Sequence, residues 1–163
     1  MDKVLVIGCP GSGKSTFSRS LHAATGLPLC HLDLLYWNAD KTTVPPDVFC
    51  ARLEQVLQKE QWIVDGHYAA TLPMRLARCD PVFWLDLPLE KCLSGIEARR
   101  FRPRPDLPWI ETEADGDFAA YVRDCHAALQ RTIPPLLQSF PHIALHVFRS
   151  HEEAATYLAA LAK

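Results

Sequence analysis

The sequence predicts an α/β domain in three layers, a parallel sheet of five strands between two layers of helices. Three observations carry that prediction. Short apolar runs alternate with amphipathic stretches along all 163 residues. The first run leads directly into Gly8-Cys9-Pro10-Gly11-Ser12-Gly13-Lys14-Ser15-Thr16, which fits the phosphate-loop (P-loop) pattern G-x-x-x-x-G-K-[ST] without mismatch. Three of the later runs end in an aspartate, and open parallel sheets bind ligands beyond the carboxyl ends of their strands.

Lys3-Val4-Leu5-Val6-Ile7 reads as a buried parallel strand. After it, Gly8, Gly11, Gly13 and Pro10 let the backbone curl so that N–H groups, Ser12's among them, point inward. A helix over about residues 13–25, with Phe17, Leu21 and Ala24 on one face, adds free N–H groups and the positive end of its dipole. Lys14 then reaches β- and γ-phosphates, and the Ser15 hydroxyl can ligate magnesium, with Thr16 beside it. Gly26 is a natural helix stop.

Residues 27–32 read as a second strand ending at Asp33, which therefore shares the sheet edge with the phosphate loop. A turn or cap aspartate is the plainer role for Asp33. A helix over about 46–59 follows, with Phe49, Leu53, Val56 and Leu57 at helical spacing. The third strand, residues 61–64, ends in Asp65-Gly66-His67-Tyr68. Gly66 would let a ligand or the backbone approach closely. His67 reads as a polar residue at the site's edge rather than a general base, and a short helix carrying Arg75 comes next.

Residues 81–86 form the fourth strand. Its apolar run closing on Asp86 is Walker-B-like, so Asp86 is a candidate for the magnesium shell. A helix over about 89–100 leads into Arg99, Arg100, Arg102 and Arg104, four arginines within six residues. Pro103, Pro105 and Pro108 keep this segment out of helix and sheet. Guanidinium forks suit phosphoryl oxygens, which points to a phosphate-clamping lid over about 101–116. The plainer alternative is a solvated loop paired with Glu111, Glu113 and Asp115. A long helix over about 117–131 must kink or restart at Pro134-Pro135. A fifth strand over 142–147 and a capping box, Ser150-His151-Glu152-Glu153, open the last helix.

Composition bounds the partners. Apolar residues make up 48% and charged residues 22%, and the formal net charge is −2, so no polybasic surface argues for nucleic acid or anionic lipid. No apolar run is long enough to span a bilayer. The chain enters a strand at once, which argues against a cleavable signal and for a cytoplasmic protein. Its six cysteines form no C-x-x-C pair and are expected to be reduced and mostly core. Cys9 stands near helix N–H groups that could lower its pKa, although a tolerated small residue is the simpler reading.

With these residues placed, the chain resembles the adenylate-kinase-like branch of P-loop NTPases and, more narrowly, the topology modulation proteins. The resemblance runs nearly end to end. It covers the phosphate loop, His31-Leu32-Asp33 with Tyr36-Trp37, and Trp62-Ile63-Val64-Asp65-Gly66-His67-Tyr68. It continues through Phe83-Trp84-Leu85-Asp86-Leu87-Pro88, the Arg102/Arg104-Pro105-Asp106-Leu107-Pro108-Trp109 segment, and Phe148-Arg149-Ser150. Two features depart from the family pattern: His67, where asparagine is commoner, and the missing glycine before the lid. The resemblance implies a nucleoside- or nucleotide-kinase-like fold with sheet order 2-3-1-4-5, ATP at the phosphate loop, an acceptor between strands two and three, and Arg149 near the adenine. The family's name refers to DNA supercoiling, but nothing in this sequence supplies a DNA-binding surface.

The reading is therefore one domain over residues 1–163, monomeric or homodimeric, acting as an ATP-dependent phosphotransferase on a small acceptor. Lys14 and the loop amides hold phosphates, Ser15 and Asp86 position magnesium, and Arg102 and Arg104 close over the transferring group. Asp33 orients or deprotonates the acceptor hydroxyl, in a pocket with Asp65, Gly66, Tyr68 and Arg75. The alternatives are an ATP-binding regulator linked indirectly to DNA topology, without a dedicated acceptor, and a protein acting directly on DNA.

Overall fold

The computed structural model describes residues 1–112 and 116–161. Glu113 and Asp115, expected partners of the arginine segment, lie outside the described residues, as does that part of the expected lid. Five parallel strands form one sheet in the order β2-β3-β1-β4-β5. They are β1 (Lys3–Gly8), β2 (Leu29–His31), β3 (Trp62–Asp65), β4 (Pro81–Leu85) and β5 (Ala144–Phe148). The three inner strands are apolar through most of their length because both faces are covered by helices. Val4 to Ile7, Ile63, Val64, Val82 and Phe83 are wholly buried.

The helices are α1 (Lys14–Thr25), α2 (Leu32–Tyr36), α3 (Pro46–Leu57), α4 (Leu72–Leu76), α5 (Leu89–Arg99), α6 (Gly116–Gln138) and α7 (His151–Leu161). Helix α1 ends where expected, at Gly26, whose left-handed backbone lets its N–H reach the His22 carbonyl at 2.8 Å. The capping box also forms, with Ser150 Oγ accepting from the Glu153 N–H at 3.1 Å.

Two local readings change. The strand before Asp33 stops at His31, and Asp33 lies in the first turn of α2 rather than at a strand tip. Helix α6 runs on through Pro134-Pro135 to Gln138, past the end near Arg131 that the sequence suggested, so of the kink or restart expected there the restart does not occur. Both prolines are exposed, as are Gln130 and Arg131, whose carbonyls lose their helical donors. Water can satisfy those carbonyls, while Ile133 stays buried and Leu136 and Leu137 pack against the core.

Register sets the site. Val6 pairs with Asp65 and Gly8 with Leu85, so the carboxyl ends of β3, β1 and β4 surround the phosphate loop. Among the described residues, no helix is long and apolar enough to cross a membrane.

Candidate active site

The phosphate loop is formed by backbone shape before any side chain acts. Gly11 and Gly13 have φ of +80° and +88°, which L side chains rarely adopt. At Gly11 close packing adds to this, since a Cβ there would stand 2.0 Å from the Cys92 carbonyl oxygen of α5. The loop is thus pressed onto α5, and Ser12 is wholly buried with its Oγ unpartnered. On the other side His151, the first residue of α7, donates from Nε2 to the Ser12 carbonyl at 3.1 Å.

A cavity of about 430 Å³ opens at this loop, between α1, α7 and the segment after α5. Gly11, Gly13, Lys14, Ser15 and Thr16 border it, as the motif predicts. Three arginines share its walls: Arg19 from α1, Arg99 from the end of α5, and Arg104. Phe17, Leu85, Ala154 and Leu158 give it an apolar side. One carboxylate, Asp106, also borders it, with Oδ1 at 3.4 Å from Arg19 Nη1 and Oδ2 at 3.3 Å from Arg104 Nη1. Glu111 holds the outer ends, 2.9 Å from Arg99 Nε and 3.6 Å from Arg104 Nη2. Burial, and then the neighbouring Arg104 charge, pull the Arg99 guanidinium below its ordinary range.

Arg102 does not join this group. It is exposed and lies off the cavity, so of the two lid arginines read from the sequence only Arg104 faces the loop. The Asp86 carboxylate also lies elsewhere. It accepts from the Gln130 side chain and stands 3.9 Å from Arg149 Nε, and it is not a wall of the cavity. Gln130 of α6 and Arg149 after β5 are thus the partners of that carboxylate in this structure. Arg149 itself is exposed, with its side chain on Asp86 and its N–H bonded to Glu153 at 2.7 Å.

The ends of β2 and β3 form a second constellation. His31 Nδ1 donates to Asp65 Oδ2 at 2.6 Å, and both are buried. Tyr68 donates its hydroxyl to Asp33 Oδ1 at 2.5 Å. Burial, reinforced by the Asp33 charge, raises the Tyr68 phenol well above its ordinary value, so it stays a donor. Tyr68 packs on Tyr36 and Phe49, with ring centroids 5.0 and 5.1 Å apart. Beyond them Trp37 meets Trp109 of the arginine segment edge to face at 4.9 Å.

Arg75, expected to line an acceptor pocket, is instead fully buried. Its guanidinium donates to the Gly66 carbonyl at 2.8 Å, to the His67 carbonyl, and to the Tyr68 carbonyl at 2.9 Å. Burial pulls its pKa down to about 10, still charged at neutral pH. The charge fixes a loop in which Tyr68 has φ of +33°, rare for a residue with a side chain. Asp65 is likewise buried, with Oδ2 taken by His31 and Oδ1 left without a partner, and Gly66 makes room for Leu32, whose Cβ is 2.9 Å from where a Gly66 Cβ would lie. His67 is lowered to about 4 by burial and by the nearby Arg75 and Lys14 charges, and is neutral at pH 7.

Cys9 follows the simpler of its two readings. Its thiol is buried near Cys125 and Cys92 and donates to the Val122 carbonyl at 3.4 Å. Those neighbours and burial raise its pKa rather than lower it.

Arg19, Asp106 and His151 were not singled out by sequence reasoning. Arg19 had a legible signal, standing one helical step beyond Thr16, whose Oγ1 accepts from it at 3.1 Å. His151 opens the helix after β5, at the sheet edge where ligands gather. Asp106 stood in the arginine-proline segment that carries the family resemblance, but no spacing rule gave it a role.

Neither a scan of protein-family models nor a search of curated proteins finds a match. Among solved structures, the chain is similar to shikimate kinase from Acinetobacter baumannii in complex with shikimate. The TM-score is 0.60 at 18% identity, over 99% of this chain and 93% of that one. It is also similar to deoxyadenosine kinase from M. mycoides with bound dATP, with a TM-score of 0.57 at 14% identity over 98% of this chain and 99% of that one. At such identities the likeness establishes the fold: a five-stranded parallel sheet in the order 2-3-1-4-5 with flanking helices, the P-loop kinase fold.

Proposed function

We propose that the protein is an ATP-dependent phosphotransferase that moves the γ-phosphoryl group to a hydroxyl or phosphate of a small acceptor. One observation carries this reading: Lys14, Arg19, Arg99 and Arg104 surround a single cavity at a glycine-formed phosphate loop. Four cations around one hollow suit a polyphosphate. The loop amides and Lys14 hold its β- and γ-phosphates, and Arg104 with Arg99 neutralises charge on the group in transit.

Gly11 and Gly13 take the left-handed backbone that curls the loop, and the Ser15 hydroxyl at the cavity wall suits magnesium, which takes few protein ligands beside phosphate oxygens. A magnesium ion held by Ser15 would supply positive charge to the bound phosphates. Asp86, committed to Arg149 and Gln130, is left out of that shell.

On the acceptor side, Asp33 is the group that orients a hydroxyl or takes its proton, with Tyr68 holding the carboxylate in place. Asp65 and Arg75 support the loop from behind. Phosphoryl transfer depends on positioning and charge more than on covalent chemistry, which suits a site without a nucleophile. We also infer the finer kinship with topology modulation proteins. It rests on the Asp65-Gly66-His67-Tyr68 and Arg104-Pro105-Asp106-Leu107-Pro108-Trp109 segments.

A screen of nucleosides, nucleotides and polyols for ADP release tests the reading, with acceptor-free hydrolysis subtracted. The structural neighbours, one holding shikimate and the other dATP, justify including ring alcohols and deoxynucleosides. The expected result is one acceptor class that raises ADP release in the wild type and none that does so in Lys14→Ala. Acceptor-independent release, or a Lys14→Ala variant as active as wild type, overturns the proposal.

A further inference from the structure

Asp106 is an unusual residue for a cavity read as a polyphosphate site. It is an anion among cations, and only 2% exposed. Its two ion pairs, at 3.4 Å to Arg19 and 3.3 Å to Arg104, are long beside the ~2.8 Å of a tight guanidinium–carboxylate bond. Oδ2 has no hydrogen bond of acceptable geometry although it is buried. A buried carboxylate left half-satisfied is uncommon in a folded protein and calls for an explanation. The two arginines come from different elements, Arg19 from α1 and Arg104 from the segment after α5.

We propose that Asp106 is an internal stand-in for phosphate: it holds Arg19 and Arg104 across the cavity while no polyanion is bound, and yields them to phosphoryl oxygens when one enters. The proposal rests on the donor-site reading above and makes Asp106 a positioning residue rather than a catalytic one. Without it, Arg19 would have no carboxylate partner among the described residues, and Arg104 would keep only Glu111, 3.6 Å away. Repulsion from Lys14 and Arg99 would then turn Arg19 and Arg104 away from the cavity. A slack pair keeps them aimed and is easily exchanged for a better-fitting anion.

Two effects of opposite sign follow. A fixed carboxylate repels the ground-state triphosphate, so it weakens ATP binding. The arginines it keeps in register act most strongly on the transferring group, so it favours the transition state. The Asp106→Asn variant keeps the shape and removes the charge. Calorimetry with Mg-ATP, and separately with Mg-ADP plus aluminium fluoride as a transition-state mimic, reads both effects. The variant should bind Mg-ATP about threefold to tenfold more tightly and the mimic about tenfold more weakly.

A merely structural role for Asp106 weakens both ligands together, and that outcome overturns the proposal. So does weaker Mg-ATP binding alone, which would make Asp106 an acceptor for a donor group on the nucleotide. Unchanged affinities also overturn it. Wild-type protein that takes up no Mg-ATP removes the donor-site reading itself, a separate failure. Should Asp106→Asn not fold, the half-exposed Arg19→Gln decides. It loses about tenfold in Mg-ATP affinity if Arg19 is handed to phosphate, and unchanged affinity refutes the exchange.

Discussion

The two halves of the candidate site are built on opposite principles. On the donor side, cationic side chains border an open cavity, and two of them, Arg19 and Arg104, are held by long, imperfect ion pairs to Asp106. On the acceptor side, buried and half-buried polar groups are bonded to one another at short range: His31 to Asp65, Tyr68 to Asp33, Arg75 to three successive carbonyls. Slack pairing suits a surface that must exchange partners with a charged ligand. Tight pairing suits a wall that fixes geometry, where most of the lost hydration is replaced internally. Arginine thus serves two purposes in one site: Arg104 is available, whereas Arg75 is spent.

The sharpest way to break that contrast is to remove one arginine from each half. Arg104→Ala should lower phosphoryl transfer on the order of a thousandfold, as expected for loss of a transition-state guanidinium, and leave the melting temperature within a few degrees. Steady-state kinetics with the acceptor found by the screen, run beside a thermal melt, checks both. Arg75→Met should do the reverse. It leaves three carbonyls without their donor, so urea denaturation should reveal a loss of about 3 kcal/mol, while Mg-ATP affinity in the folded fraction is kept.

A third prediction uses pH. His67 is lowered to about 4 in the folded protein, against 6.5 when unfolded. Between those values the unfolded chain binds a proton that the folded chain does not, so stability falls as pH drops from 6.5 towards 4 and is complete above that window. Against His67→Gln, the wild type should lose on the order of 3 kcal/mol more over this range, measured by denaturation at stepped pH. The smallest effect belongs to Arg102→Ala. Exposed and off the cavity, it should change transfer less than about threefold, within the ordinary span of surface substitutions.

The donor half was largely legible in the sequence, because its chemistry is local. Gly8 through Thr16 carry loop, helix start, lysine and hydroxyl in nine consecutive residues, and the sheet order placed them at a strand's carboxyl end. The acceptor half was legible only as a set of names. Asp33 and Tyr68 were expected on one site, and they meet. Arg75 was expected there too, but its role depends on three carbonyls turning towards one point, a loop shape that no spacing rule encodes. Asp86 and Arg149 were expected at magnesium and adenine, and their contact with each other was not legible: Asp86's N–H bonds the Phe148 carbonyl at 2.8 Å and so brings the residue after β5 alongside. Contacts such as Arg19 with Asp106, 87 positions apart, form only once the chain has folded.

The bond from His151 to the Ser12 carbonyl joins positions 139 apart. A ribosome therefore releases the glycine-rich turn long before it releases the helix that braces it. Until α7 docks, the Ser12 carbonyl lacks that donor and the glycine-rich turn stands unbraced on one flank. The loop's sequence is local, but its support is not.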